Sequence, residues 1–68
     1  MTVEQMVREV LRDHIRSVDT ICWGIMQLFQ VDVSNDDVKS ALERLESQGQ
    51  AERVQLGDDS VWWRGYLV

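Results

Sequence analysis

The apolar residues of this 68-residue chain follow two different spacings. From Thr2 to Ser17, from residue 20 to residue 30, and from Ser34 to Gln48, they return every three or four positions. This is the spacing of a helix that buries one face, so the pattern predicts three helices. The residues after Gln48 form short β-branched and aromatic runs instead. The apolar positions with helical spacing are Val3, Val7, Val10, Leu11, Ile15, Val18, Ile21, Cys22, Ile25, Leu28, Phe29, Val38, Ala41, Leu42 and Leu45.

Residues that favour helix starts precede the first two helices. Thr2 is placed to cap the first helix, and Gln5 lies three residues on, where it can complete a capping box. Ser17 or Asp19 can cap the second helix, and a short strand can lie at residues 17–19 between the two. Gly24 lies inside the second helix, where glycine costs about 1 kcal/mol relative to alanine. We therefore expect another helix to pack closely against Gly24.

The third helix is followed by a hairpin pattern. Ser34 begins this helix with Asp37 three residues on, and Gly49 is a natural left-handed residue at its end. Two β-rich runs follow, over residues 51–56 and 60–64, with Gly57-Asp58-Asp59 as the turn between them. The chain therefore predicts one α+β domain over residues 1–68. Its architecture would be a three-helix bundle with a C-terminal hairpin of two or three strands.

Charge limits the function of this domain. Twelve acidic residues outnumber seven basic ones and give a net charge of -5, so a broad basic surface for nucleic acid is excluded. Any DNA contact would have to be local. Cys22 is the only cysteine, which leaves no intrachain disulfide or zinc site and favours a cytoplasmic location. No apolar run approaches the roughly 20 residues that span a bilayer, so neither membrane insertion nor secretion is expected.

A family resemblance lies in the stretch Val38-Lys-Ser-Ala-Leu-Glu-Arg-Leu-Glu-Ser-Gln-Gly49, followed by Ala51 and Val61-Trp-Trp63. This order resembles the winged helix-turn-helix superfamily over nearly the whole chain. The resemblance implies a third helix that recognises DNA and a hairpin wing beside it. Many members of the superfamily regulate transcription, whereas a minority use the same surfaces to dock proteins.

The spacing also looks like that of the branch that binds Z-conformation nucleic acid. In that branch an Asn and a Tyr on the third helix and a Trp on the wing make the contacts. Here Lys39 and Glu43 stand at the Asn and Tyr positions, and Trp62 or Trp63 stands at the Trp position. Only the general surface, formed by the third helix and the wing, carries over to this chain.

The outward face of the third helix offers the candidate DNA contacts. Lys39 and Arg44 could reach guanine edges or phosphates, and Asn35 could reach an adenine. The serines of this face would contact phosphates. A solvated polar face without a ligand would have the same pattern, because this helix also carries four carboxylates. The full candidate set is Asn35, Lys39, Ser40, Arg44 and Ser47, with Arg53 and Arg64 from the hairpin.

Three arginines follow one another at intervals of four in the predicted first helix. Arg8, Arg12 and Arg16 would form one stripe, either a ridge for an acidic partner or a solvated surface. Glu4, Glu9 and Asp13 lie at helical pairing distance from these arginines. The self-paired solvated stripe is the expectation.

Aromatic residues near the C-terminus predict an interaction surface. Trp62 and Trp63 must lie on opposite faces of their strand, so one should seal the core and the other should be exposed. Interface centres are enriched in aromatic residues. The predicted interface set is Trp62, Trp63, Tyr66 and Leu67.

The sequence leaves two functional hypotheses. The first is a small DNA-binding regulator that dimerises through its first helix or through the tail of residues 66–68. The second is an adaptor that docks a partner protein with its acidic third helix or its exposed tryptophan. His14 is expected at the surface or the core edge, and Cys22 as a small core residue. No nucleophile, metal-ligand or phosphate-loop pattern is present, so neither enzymatic activity nor a cofactor is expected.

Overall fold

A computed structural model of the chain describes residues 1–57 and 61–66. Three helices are combined with one antiparallel sheet in which the strand order is β1-β3-β2. This arrangement confirms the predicted α+β class and has a winged-helix-like layout. The helices are α1 (Val3–Leu11), α2 (Val18–Phe29) and α3 (Asn35–Ser47), and the strands are β1 (Ile15–Arg16), β2 (Ala51–Gln55) and β3 (Val61–Gly65).

The helix starts follow the predicted capping residues. Thr2 accepts a hydrogen bond from the backbone N–H of Gln5, whose side chain accepts one from the Thr2 backbone at 2.9 Å. Ser17 caps α2 and Ser34 caps α3 in the same manner. The Ser34 side chain accepts from the backbone N–H of Asp37 at 3.1 Å, which is one half of the predicted capping box. Each such cap stabilises its helix by about 1 kcal/mol.

The first helix is shorter than predicted. It ends at Leu11 instead of Ser17, because Arg12 adopts a φ of 49° and turns the chain away from the helix axis. Ile15 has the spacing expected of α1 but lies in β1, opposite Arg64 of β3. The short strand expected at residues 17–19 therefore occurs two residues earlier.

The predicted arginine stripe is also wrong. Arg8 lies on α1, Arg12 lies in the turn after it, and Arg16 lies on β1, so the three do not share a helix face. The pairing of Arg12 with Glu9 does occur, at 3.6 Å. The Glu4 carboxylate instead accepts a hydrogen bond from an arginine of α3.

The sheet has one face toward the helices and one face toward solvent. Trp63 of β3 lies opposite Arg53 of β2 and Arg16 of β1, and this row points toward the helices. The next row along, which contains Arg64, lies on the solvent face. Since Trp63 is 4% exposed, it is the tryptophan that seals the core, and Trp62 is half-buried on the other face.

The core lies where all three helices meet the inner face of the sheet. Full burial of one aliphatic side chain contributes roughly 1.5–3 kcal/mol, so this small cluster supplies most of the driving force for folding. Its members are Met6, Val7, Val10, Leu11, Ile21, Ile25, Val38, Ala41, Leu42, Leu45, Ala51 and Trp63.

Gly24 permits the close approach of α1 and α2. A Cβ atom built on Gly24 would lie 2.7 Å from Cγ1 of Val10, which is shorter than carbon atoms tolerate. The close-packing role predicted for this glycine is confirmed.

The end of α3 fixes the start of the hairpin. Gly49 has a φ of 75°, its N–H bonds the Glu46 carbonyl at 3.0 Å, and the N–H of Gln50 bonds the Leu45 carbonyl at 2.8 Å. This Schellman motif satisfies the last carbonyls of the helix and delivers the chain directly into β2. The hairpin turn begins at Gly57, with a φ of 76°, and its predicted tip at residues 58 and 59 lies outside the described residues.

Candidate nucleic-acid interface

Helix α3 packs one side on the core and leaves the other side in solvent. The buried stripe is Val38, Ala41, Leu42 and Leu45, as the periodicity predicts. The polar residues of the predicted DNA-contacting face are all exposed. They divide between two flanks of the helix, one beside the sheet and one beside α1. The exposed residues predicted on this helix are Asn35, Lys39, Ser40, Arg44 and Ser47.

A groove of about 570 Å³ runs along the sheet-side flank of α3. Residues of α3 at four-residue intervals form one wall, because positions i and i+4 share a helix face. The inner face of the sheet and the beginning of α2 form the other walls. The groove is lined by Asn35, Lys39 and Glu43 of α3, by Arg53, Val61 and Trp63 of the sheet, and by Ser17, Val18 and Asp19.

Arg53 is held in place on the sheet side of this groove. Its guanidinium carbon lies 5.2 Å from the centroid of the Trp63 ring, and its Nε lies 3.5 Å from a carboxylate oxygen of Glu46. A guanidinium over a tryptophan face is attracted by the ring quadrupole, by about 0.5–1 kcal/mol at an exposed site. These contacts orient Arg53 while leaving its side chain more than half exposed.

Lys39 lines the same groove. Among residues 1–57 and 61–66 no carboxylate oxygen comes within 4.0 Å of its ammonium group. Its neighbours one turn away on α3 are Asn35 and Glu43. The groove therefore combines two cations, Lys39 and Arg53, with two carboxylates, Asp19 and Glu43.

Asn35 joins α2 to the beginning of α3 through a chain of hydrogen bonds. The Cys22 thiol donates to the Asn35 side-chain oxygen at 3.1 Å, and the Asn35 amide donates to Asp19 at 3.0 Å. Partial burial raises the pKa of the Cys22 thiol, and the charge of Asp19 raises it further. Cys22 is thus half-buried and hydrogen-bonded, unlike the plain core residue expected from the sequence.

Two of the predicted DNA contacts lie away from the groove. Arg44 is on the α1-side flank of α3, where it donates to the Glu4 carboxylate at 2.9 Å. Arg64 is on the solvent face of the sheet, with its guanidinium 5.6 Å from the Tyr66 ring. The structure thus brings Asn35, Lys39 and Arg53 together and separates them from Arg44 and Arg64.

The serines of α3 point outward between the two flanks. Ser47 donates its hydroxyl to the Arg44 carbonyl at 2.7 Å, within the last turn of the helix. Ser40 is exposed on the same side. Both remain accessible to a backbone phosphate, although neither lines the groove.

Two residues of the predicted aromatic interface, Trp62 and Tyr66, are on the opposite face of the sheet from the groove, and the prediction is wrong for the buried Trp63. Trp62 is half-buried there and Tyr66 is exposed, whereas Trp63 lies on the inner face. A hydrogen bond to Glu52 raises the pKa of the Tyr66 phenol, and desolvation raises it further. Leu67, the remaining predicted interface residue, lies outside the described residues.

Arg16 is a residue that the sequence placed incorrectly. Arg16 on β1 pairs with Trp63 of the central strand β3 from one side, and Arg53 on β2 pairs with Trp63 from the other side. The Nε atom of Arg16 is buried and has no hydrogen-bond partner among the described residues. Sequence spacing put Arg16 on a helix, so no local signal indicated this row of Arg16, Trp63 and Arg53 across the sheet.

Neither metal binding nor membrane insertion is indicated in the described part of the chain. Within it, no three His, Cys, Asp or Glu side chains lie close enough to hold a metal ion. The helices formed by these same residues are too short and too polar to cross a bilayer. His14 is exposed beside Asp13, with 3.8 Å between its Nε2 and the nearest carboxylate oxygen.

Comparison with known proteins adds no relative. No protein-family model, no curated protein and no solved structure matches this chain. The geometry of the molecule is therefore the basis for assigning a function.

Proposed function

We propose that this chain is a cytoplasmic winged-helix domain that binds double-stranded DNA through the sheet-side flank of α3 and acts as a transcriptional regulator. The observation that carries the proposal is Lys39 in the open groove, which forms no ion pair among residues 1–57 and 61–66, with Asn35 one turn away and Arg53 lining the same groove. An exposed helix with a cation and an amide on one flank suits the major groove, where lysine reads guanine and asparagine reads adenine.

Because the chain is acidic, we expect it to bind DNA weakly. Among the described residues that line the groove, only Lys39 and Arg53 are positively charged, and Glu46 partly neutralises Arg53. If about two phosphates are neutralised, the logarithm of the binding constant should fall with log salt at a slope of about -2. A fourfold increase in salt would then weaken binding roughly tenfold. The affinity of one domain should therefore be measurable only at low salt.

Fluorescence anisotropy with a labelled duplex of mixed sequence tests the proposal. Lys39→Ala should weaken binding about fivefold or more at low salt and should reduce the salt slope by about 1. The matched control is Arg44→Ala, which removes the same charge from the same helix but from the flank where Glu4 holds it. Loss of affinity in both variants equally, or undetectable binding of the unaltered chain at low salt, would overturn the proposal.

A protein-docking role is the second candidate. The observation that favours it is Glu43, an exposed carboxylate at the groove. The carboxylates of Glu4 and Glu46, in contrast, are paired with Arg44 and Arg53. Such a surface attracts a basic segment of a partner protein.

One variant separates the two roles, because Lys39→Glu changes the sign of the central charge. If α3 binds DNA, this variant should abolish duplex binding. If α3 binds a basic partner, it should strengthen capture of a labelled oligo-arginine peptide, and the unaltered chain should already bind that peptide better than the duplex.

A further inference from the structure

A second depression, separate from the groove beside α3, lies where α1 meets the end of α3 and the end of β3. It has a volume of about 290 Å³, close to the lower limit of about 300 Å³ for small-molecule sites. Among the described residues, none lines both this depression and the groove. We call it the α1 pocket, and the side chains that determine its chemistry are Arg8, Glu9, Leu11, Arg12, Leu45 and Tyr66.

The bottom of the α1 pocket is apolar. Leu11 and Leu45 line it although each is only 1% exposed, so these two core side chains form its floor. Tyr66 borders the pocket at the end of β3, and its backbone N–H donates to the Gln50 carbonyl at 3.2 Å, which holds it beside the end of α3. A ligand with an apolar body would therefore remove apolar surface from water when it enters.

The rim of the α1 pocket is positively charged, although the chain as a whole has a net charge of -5. Among the described residues that line it, Arg8 and Arg12 are positively charged and only Glu9 is negatively charged. The groove beside α3, in contrast, combines two cations with two carboxylates. An excess of positive charge around a depression raises the local concentration of anions. The charge of the α1 pocket therefore favours an anionic ligand.

Both arginines are accessible to such a ligand. Arg8 is exposed and forms no ion pair among residues 1–57 and 61–66. Arg12 is 3.6 Å from a carboxylate oxygen of Glu9, but both of these side chains are more than half exposed. Exposed ion pairs of this kind are weak, so the carboxylate of a ligand can replace that of Glu9.

We propose that the α1 pocket binds a small organic acid that carries one carboxylate on an apolar body. The carboxylate would bind the guanidinium groups of Arg8 and Arg12, whose planar sets of N–H donors match its two oxygens. The apolar body would cover the floor formed by Leu11 and Leu45. A single negative charge suits the pocket, because two arginines face one glutamate there.

The small size of the pocket and the exposure of both arginines limit its affinity. For a ligand of the size of benzoate we expect a dissociation constant in the millimolar range. Benzoate is a suitable probe because it carries one carboxylate on an apolar ring. Benzamide is the matched control ligand, since it has nearly the same shape and no charge.

Titration of the isotope-labelled chain with benzoate at constant ionic strength, followed by nuclear magnetic resonance, tests this proposal. The amide signals of Arg8, Arg12 and Gly65 should shift together, and benzamide should bind about tenfold more weakly. Arg8→Gln should raise the dissociation constant of benzoate about fivefold or more. Lys39→Gln is the matched control variant and should leave it unchanged, because Lys39 also forms no ion pair within the described part of the chain but lines the groove. Circular dichroism should show both variants folded.

Four outcomes would overturn the proposal. Equal affinity for benzamide and benzoate would mean that the arginines do not recognise the carboxylate. Equal weakening by Arg8→Gln and Lys39→Gln would indicate general attraction of anions rather than a site. Tighter binding of inorganic phosphate than of benzoate would show that the apolar floor takes no part. An absence of shifts at benzoate concentrations well above the millimolar range would exclude the site altogether. None of these results depends on whether the chain binds DNA, because the measured quantity is the binding of benzoate.

Discussion

Gly24→Ala is the substitution that most directly tests the packing of α1 on α2. Alanine favours a helix interior over glycine by about 1 kcal/mol, so propensity alone predicts a more stable protein. The added methyl group, however, would lie 2.7 Å from Cγ1 of Val10. Valine in a helix has one strongly preferred rotamer, and Val10 is buried, so its side chain cannot rotate away cheaply.

The magnitude follows from setting these two effects against each other. Overpacking a core costs typically 1–3 kcal/mol, which exceeds the propensity gain. Gly24→Ala should therefore lower the free energy of unfolding by roughly 1 kcal/mol, or the melting temperature by about 4–8 °C for a domain of this size. In a Val10→Ala background the obstructing methyl groups are absent. There the same substitution should raise stability by about 1 kcal/mol, reversing its sign.

Urea unfolding followed by circular dichroism on the four proteins of this cycle measures both effects. The double-mutant cycle isolates the interaction between the two positions, with an expected coupling of about 2 kcal/mol. If Gly24→Ala stabilises the chain equally in both backgrounds, the close approach of α1 and α2 at this point is wrong.

Two further predictions concern the turn after α1 and the thiol of α2. Gly65→Ala would place a methyl group against the carbonyl oxygen of Arg12, a backbone atom that cannot move aside. The free energy of unfolding should therefore fall by about 2–4 kcal/mol. An unchanged melting temperature would contradict this packing. The raised pKa of Cys22 should make alkylation by iodoacetamide lag behind that of free cysteine until higher pH, and Asp19→Asn should shift the profile back toward lower pH. Because the folded thiol holds its proton more tightly than the unfolded one, the free energy of unfolding should also fall as pH rises above about 8.5; a rise over that range would contradict the shift.

The local parts of the fold could be predicted because their causes are local. The side chains of Thr2 and Ser34 can accept hydrogen bonds from the first backbone N–H groups of a helix, so these residues indicate helix starts. Gly49 indicates a helix end because glycine readily adopts a positive φ. The alternation of Trp62 and Trp63 predicted one buried and one more exposed ring. Each of these signals requires no knowledge of distant residues.

The end of α1 was predicted wrongly because its cause is distant. Arg12 adopts a positive φ without the glycine or asparagine that usually marks such a turn. The packing of Gly65 against the Arg12 carbonyl and the pairing of Ile15 with β3 accompany this conformation. Both come from a strand about fifty residues along the chain, so apolar spacing near Arg12 could not reveal them.

In the candidate site, too, the local features could be predicted from the sequence and the long-range contacts could not. The exposed face of α3 follows from its periodicity, but the sequence does not tell which flank each polar residue occupies. Arg44 is paired with Glu4, 40 residues away, and Arg53 with Glu46 of a different element. Only the tertiary structure distinguishes Lys39, which forms no ion pair within the described part of the chain, from these paired arginines.

The most direct test of DNA binding by the sheet-side flank of α3 is a nuclear magnetic resonance titration of the labelled chain with a short duplex at low salt. The proposal predicts that amide shifts concentrate at Asn35, Lys39 and Glu43, and that the Trp63 indole and Arg53 respond with them. Shifts confined to α1 or to the solvent face of the sheet, or no shifts at millimolar duplex, would contradict it.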